Sequence, residues 1–150
     1  MVDMDDNRLQ LFSRFGATAV INNKDGNAVE KIMKMTGGRG VDTAIEAVGV
    51  PASFITCEDI VAPGGIIANI GVHGVKADLH LERLWDRNIA ITTRLVDTVS
   101  TPMLLKTVQS HRIDPKQLIT HHFKLDKILD AYDTFGAAAK TSAVKVLIET

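Results

Sequence analysis

Gly37-Gly38-Arg39-Gly40-Val41-Asp42-Thr43-Ala44-Ile45-Glu46-Ala47-Val48-Gly49 is a glycine-rich turn, an apolar strand and a glycine stop. Val41, Ala44, Ile45, Ala47 and Val48 crowd too closely for a strand with one wet face. The stretch therefore reads as buried on both faces, in the middle of a parallel sheet. Such a strand needs neighbours on either side.

Upstream, Met1-Val2-Asp3-Met4 is a short apolar strand ending in acid, and Asp5-Asp6-Asn7 offers cap-type residues before Leu9, Leu11, Phe12 and Phe15 at helical spacing. Gly16 closes that helix, Ala17 to Ile21 reads as a strand, and Ala28, Val29, Ile32, Met33 and Met35 form the inner stripe of a second helix. Downstream, a helix with Phe54, Ile55, Ile60 and Val61 ends at Pro63-Gly64-Gly65. Ile66 to Val72 then reads as another buried strand. A glycine-containing loop, His73-Gly74-Val75, and an alternating piece, Leu79 to Leu84, stand where a crossover helix is usual. Asn88 to Leu95 is the next strand. Strand centres near residues 19, 44, 68 and 91 give the strand-turn-helix beat of an α/β sheet. Beyond them come a helix from Thr98–Thr101 to about His111, a turn at Asp114-Pro115, a strand from Leu118 to Phe123, a helix from Asp126 to Phe135 and a last strand from Ala143 to Ile148.

Composition narrows the chemistry. The 150 residues are 45% hydrophobic and 23% charged, enough for an ordinary core and without the bias of disordered chains. The net charge of −1 is spread along the chain with no basic run to gather phosphates, so no nucleic-acid partner is expected. No apolar run approaches the roughly 20 residues of a membrane span, so no membrane partner is expected either, and a cytoplasmic location is the expectation. The single cysteine, Cys57, forms neither an internal disulfide nor a cysteine-rich zinc site; it reads as a small apolar residue on a buried helix face.

Parallel α/β sheets bind ligands at the carboxyl ends of their strands. Asp3 ends the first strand, where an acid accepts hydrogen bonds from adenosine ribose hydroxyls and repels a 2′-phosphate, favouring NAD over NADP. Arg8, in the first turn of the following helix, is within reach of the same sugar. Ala47-Val48-Gly49, Ile70-Gly71-Val72 and Thr92-Thr93-Arg94 are the other strand ends, with glycines that let a flat ligand lie against backbone or that merely turn the chain. Lys145 is either an edge-strand charge or a phosphate ligand. His73 sits beside a strand end without a catalytic partner. The adjacent His121 and His122 face opposite sides of a strand and cannot chelate one metal together. No serine has a nucleophile context, and no phosphate-binding loop is present, because Gly37 to Gly40 enters a strand instead of leaving one.

Taken together, Val2 to Arg8, Phe15-Gly16-Ala17-Thr18, Gly40 to Gly49, Pro63-Gly64-Gly65, Leu118-Ile119-Thr120-His121 and Lys140 to Ile148 resemble the C-terminal part of a zinc-dependent, NAD-linked alcohol dehydrogenase of the medium-chain family. The resemblance implies reversible hydride transfer between a small alcohol or carbonyl substrate and NAD, with a catalytic zinc polarising the substrate oxygen. It implies that Asp3 takes the ribose hydroxyls and Arg8 flanks that sugar. Val48 would border the ribose and nicotinamide, Ile70, Gly71 and Val72 would underlie the nicotinamide, Thr93 and Arg94 would approach its carboxamide, and Lys145 would lie near the pyrophosphate. The family's first strand, pyrophosphate turn and zinc ligands precede the point where this sequence begins, so no catalytic or metal-binding residue is expected here, and the chain is expected to be a fragment with little or no activity of its own.

The fold class implied is α/β: an incomplete dinucleotide-binding, Rossmann-like parallel sheet lacking its first strand, plus the C-terminal segment of the family's catalytic domain. Residues 1–96 would form the partial dinucleotide-binding domain and residues 97–150 the segment returning to the catalytic domain. In the strand order 3-2-1-4-5-6, the absent strand separates Met1–Met4 from Val41–Val48, so its loss should cut the sheet in two. The strand from Ile89 to Leu95 would be an outer edge that pairs across a homo-oligomer. The rival readings are a polyol or threonine dehydrogenase or quinone reductase relative, and a non-catalytic module that binds a nucleotide or serves subunit assembly.

Overall fold

A computed structural model describes residues 1–150. In chain order the elements are β1 (Val2–Asp3), α1 (Asp6–Arg14), β2 (Ile21–Asn22), α2 (Ala28–Met35), β3 (Val41–Glu46), α3 (Pro51–Ile60), β4 (Val61–Asn69), α4 (Leu81–Leu84), β5 (Ala90–Thr93), α5 (Thr101–Gln109), β6 (Ile119–Lys124), α6 (Ile128–Gly136), α7 (Ala138–Thr141) and β7 (Lys145–Glu149). Short 3₁₀ turns at Pro115–Leu118 and Leu125–Lys127 flank β6. The chain divides into two compact units, Asn23–Val96 and the combination of Met1–Asn22 with Asp97–Thr150.

All strands pair in parallel, in three sheets: β1-β2, β3-β4-β5 and β6-β7. The expected cut is there, since no strand of this chain pairs with β3 on the side away from β4. The α/β class and its incomplete Rossmann-like parallel sheet are thus the architecture present.

In the Asn23–Val96 unit, α3 begins with Pro51 at its first turn, where a fixed φ suits the helix and the missing N–H costs nothing. It buries Phe54, Cys57 and Ile60. Helix and strand then join without a loop: α3 ends at Ile60 and Val61 already pairs with Val41, earlier than Pro63-Gly64-Gly65 suggests. The next pair is Thr43 with Ile66, so the extra residues of β4 bulge out around Pro63-Gly64. The core lies on the α3 side, with Ala44, Val61, Ala62 and the fully buried Ile67.

The other side of β3 corrects the reading of a strand buried on both faces. Ala44 and Glu46 point inward, while Thr43 and Ile45 point outward and Ile45 is 63% exposed. Every residue of β5 is exposed as well. Apolar side chains on both faces made the strand look central; in this chain only one face is covered.

In the other unit, the Asp5 side chain caps α1 by accepting from the Arg8 N–H at 2.9 Å, and Leu9 is the residue that helix buries. The strand read over Ala17 to Ile21 is shorter and later: β2 is Ile21–Asn22, because β1 offers only Val2 and Asp3 as partners. β6 and β7 pair in parallel, and α6 packs beside them with Ala131 buried. No helix of the chain is long and apolar enough to cross a membrane.

Candidate functional site

The strand ends of the Asn23–Val96 unit meet in an open cleft of about 270 Å³ lined by Asn69, Ile70, Gly71, Val72, Thr93, Arg94 and Leu95. β4 and β5 run side by side, with Asn69 opposite Thr93, and the Arg94 N–H donates to the Asn69 carbonyl at 3.2 Å. Five of the sequence-derived candidates, Ile70, Gly71, Val72, Thr93 and Arg94, therefore share one cleft. Val48 is outside its lining, exposed on the turn that follows β3.

Behind this cleft is a residue the sequence reading passed over. Glu46, the last residue of β3, has a side chain with no solvent exposure. Its Oε1 accepts from the Val48 N–H at 2.9 Å, the Gly49 N–H at 2.8 Å and the Ser53 hydroxyl at 2.5 Å. Its Oε2 has no hydrogen-bond partner and lies 3.3 Å from His73 Nε2. Burial by itself pushes the Glu46 carboxyl up, but the donors from Ser53, Gly49 and Val48, with His73 beside them, outweigh it and hold the group below its ordinary value. The usable signal was an acid at an inward-facing position of an apolar strand, followed by Gly49 and Ser53.

A depressed carboxyl stabilises the fold fully above its unfolded value, near pH 4.3, and the contribution fades as pH falls through the lower folded value. Acidification from pH 7 into that range should therefore lower the melting temperature of the wild-type unit more than that of Glu46→Gln. Equal acid sensitivity of the two in calorimetry would exclude Glu46 as a source of the effect.

Gly71 has a reason beyond the two that sequence offered, ligand room and turn chemistry. A Cβ on Gly71 would sit 2.1 Å from Glu46 Oε2 and 2.4 Å from the Gly49 amide nitrogen. Glycine there lets two protein turns touch. His73 is likewise a packed residue: Nε2 lies 2.9 Å from Asn69 Oδ1, and the ring stands edge-on to Phe54.

In the other unit, Asp3 and Arg8 form a two-pronged ion pair. Arg8 Nε donates to Asp3 Oδ2 at 3.0 Å and Nη2 to Oδ1 at 2.7 Å. The amides of Met4 and Asp5 also donate to Oδ1, at 2.7 and 2.9 Å. Burial pushes the Asp3 carboxyl up, yet Arg8 and these amides hold it below the usual carboxylate range. Oδ1 is thus occupied three times and Oδ2 once, which leaves Oδ2 lone-pair capacity for a ligand hydroxyl. Lys145 opens β7 beside a mainly apolar groove of about 350 Å³ with Ile128, Tyr132 and Phe135 on α6.

Each unit offers its own feature to a nucleotide, an acceptor at the end of β1 in one and a small cleft at the ends of β4 and β5 in the other. Zinc finds no ligand set: no three His, Cys, Asp or Glu side chains converge, and Cys57 is buried, its thiol pushed up to about 11 by burial beside Glu46 and Glu58.

Residues 1–110 match the family described as zinc-binding dehydrogenase. The alcohol dehydrogenase of Cupriavidus necator is 33% identical over 152 residues, covering 99% of this chain and 41% of that protein. The NADP-dependent isopropanol dehydrogenase of Thermoanaerobacter brockii is 37% identical over 125 residues, covering 79% of this chain and 36% of that protein. Among solved structures, the apo form of zinc dependent alcohol dehydrogenase 2 from Streptococcus pneumonia is 50% identical with a TM-score of 0.95, covering 100% of this chain and 44% of that one. The chain spans about two fifths of the length of these relatives and corresponds to their C-terminal portion. By sequence and by fold, it belongs to the zinc-binding dehydrogenase family.

Proposed function

We propose that this chain is the cofactor-binding portion of a zinc-dependent alcohol dehydrogenase that transfers hydride between a small alcohol or carbonyl and NAD. Residues 1–96 act as the partial dinucleotide-binding domain and residues 97–150 as the segment belonging to the catalytic domain. The observation that carries the cofactor reading is the Asp3 carboxylate at the end of β1, braced by Arg8 and still able to accept through Oδ2. Ribose hydroxyls are its natural donors. Since a relative is named for NADP, the preference for NAD rests on Asp3 itself, whose charge repels a 2′-phosphate.

The nicotinamide end is assigned to Val48, Ile70, Gly71, Val72, Thr93 and Arg94, and the pyrophosphate to Lys145. The zinc, when bound, polarises the substrate oxygen; its ligands are not among these residues, so the chain alone binds cofactor without turning over. The exposed β5 is proposed to pair with a second copy along residues 89–95, in a cytoplasmic homo-oligomer.

Titration of the chain with NADH should give saturable energy transfer from its single tryptophan, Trp85, and no NAD reduction when alcohol is added. A flat titration would leave the chain an assembly module without a nucleotide. Light scattering on the same samples should read more than the 16.3 kDa of one chain; a monomer at micromolar concentration removes the oligomer.

A further inference from the structure

Glu46 is attached to two turns, the one at residues 48–49 after β3 and the one at residues 70–71 in the cleft wall. Its main-chain carbonyl accepts from the Ile70 N–H at 2.8 Å and the Gly71 N–H at 3.1 Å, while its side chain accepts from the Val48 and Gly49 amides. Ser53, on the first turns of α3, donates to the same carboxylate oxygen. The second carboxylate oxygen faces Gly71, which has no side chain to hold it away, and His73. His73 in turn meets Asn69, whose amide donates to the Gly71 carbonyl at 3.4 Å. One buried acid thus joins β3, α3 and the turn after β4.

The cost of such a burial sharpens its meaning. Removing a carboxylate from water costs several kcal/mol unless donors replace the water. Three donors converge on Oε1, and all of them belong to the turn after β3 or to α3. A stop to the strand would need one capping oxygen at most. The remaining oxygen, with no donor of its own, sits against the backbone of Gly71, a residue of the cleft wall.

We infer that Glu46 is a positioning residue for the cofactor: it fixes the turn at residues 48–49 and the cleft wall at residues 70–71 relative to each other, so that the nicotinamide end meets a preformed surface. This rests on the cofactor reading above, and preorganisation is the physical gain, because a wall already held in place costs nothing to order on binding. Glu46 touches no reacting atom in this role.

Three proteins test it: the wild type, Glu46→Gln, and Ser53→Ala, which keeps the carboxylate and removes one of its donors from α3. Amide exchange without cofactor and affinities for NADH and AMP are measured on each. Losing one hydrogen bond to a buried charge should weaken NADH by about fivefold in Ser53→Ala, and by roughly tenfold or more in Glu46→Gln. Exchange at Val48 and Gly49 should quicken by a similar factor in both, while AMP, which lacks the nicotinamide end, binds all three proteins alike.

Parallel loss of NADH and AMP would mark a general loss of stability and overturn the inference, as would unchanged exchange at Val48 and Gly49. If Glu46→Gln does not fold, Ser53→Ala decides by the same two readings. A wild type that takes up no NADH sinks the cofactor reading and the cofactor part of this one with it, whereas intact NADH binding in both variants sinks the role of Glu46 alone.

Discussion

Gly49→Ala should destabilise the Asn23–Val96 unit by about 3 kcal/mol, from a positive-φ penalty of about 1 kcal/mol and an overpacking penalty of about 2 kcal/mol. Gly49 has φ +83°, a conformation that L side chains rarely adopt. Its added Cβ would lie 2.3 Å from the Val72 carbonyl oxygen and 2.9 Å from the Val72 nitrogen. Both atoms are backbone, so no rotamer change relieves the clash, and the turn carrying the Glu46 contact must shift. Gly64→Ala is the control: φ is +77° but the space around it is open, leaving only the conformational penalty of about 1 kcal/mol. Thermal or denaturant unfolding compares the two variants. Equal losses would mean that the turn after β4 yields freely and that the close approach of the two turns is unimportant.

The second large effect concerns cofactor choice. Asp3→Gly should weaken NADH binding by about 10- to 100-fold, the worth of hydrogen bonds from ribose hydroxyls to a charged acceptor. The same change frees Arg8, whose Nε and Nη2 both donate to Asp3. A guanidinium released from a carboxylate fork is suited to a 2′-phosphate, so NADPH affinity should rise while NADH affinity falls. Parallel titrations with NADH and NADPH read the switch directly. If Asp3→Gly leaves their ratio unchanged, the ribose assignment is wrong; if NADH falls and NADPH does not rise, Arg8 does not reach the 2′ position. Asp3→Asn would separate charge from shape, since it keeps an acceptor oxygen and loses the repulsion.

The elements most legible in sequence were those whose apolar spacing serves one packed face. The stripe of α2 holds at Ala28 and Ile32, the residues it buries, and fails at Met35, which ends the helix 61% exposed. The split of the sheet followed from the family resemblance, whose strand order puts the absent strand between β1 and β3; without it the two have no ladder to share. What failed was reading cover from composition: Ile45 is as apolar as Ala44, yet only the face shared with Glu46 is packed.

Local alternation misled at Leu79 to Leu84, where Leu81–Leu84 is a helical turn. A long-range contact fixes it: the buried Glu58 carboxylate accepts from the His80 N–H at 3.0 Å and lies 2.7 Å from His80 Nδ1. At the candidate site, strand-end logic found the cleft residues, since each closes a strand. Glu46 escaped it because it lines no strand-end cleft, and its distant partners Gly71 and His73 meet it only in the fold.

β4 is the one strand of its sheet with a partner on each side, and the chain leaving it forms the wall at residues 70–72. Thr93 and Arg94 extend from β5, which is held on one side only. In a lone chain the cleft therefore has one stiff jaw and one compliant jaw, since fraying begins where a ladder is single, and the proposed pairing of β5 with a second copy would stiffen the second jaw.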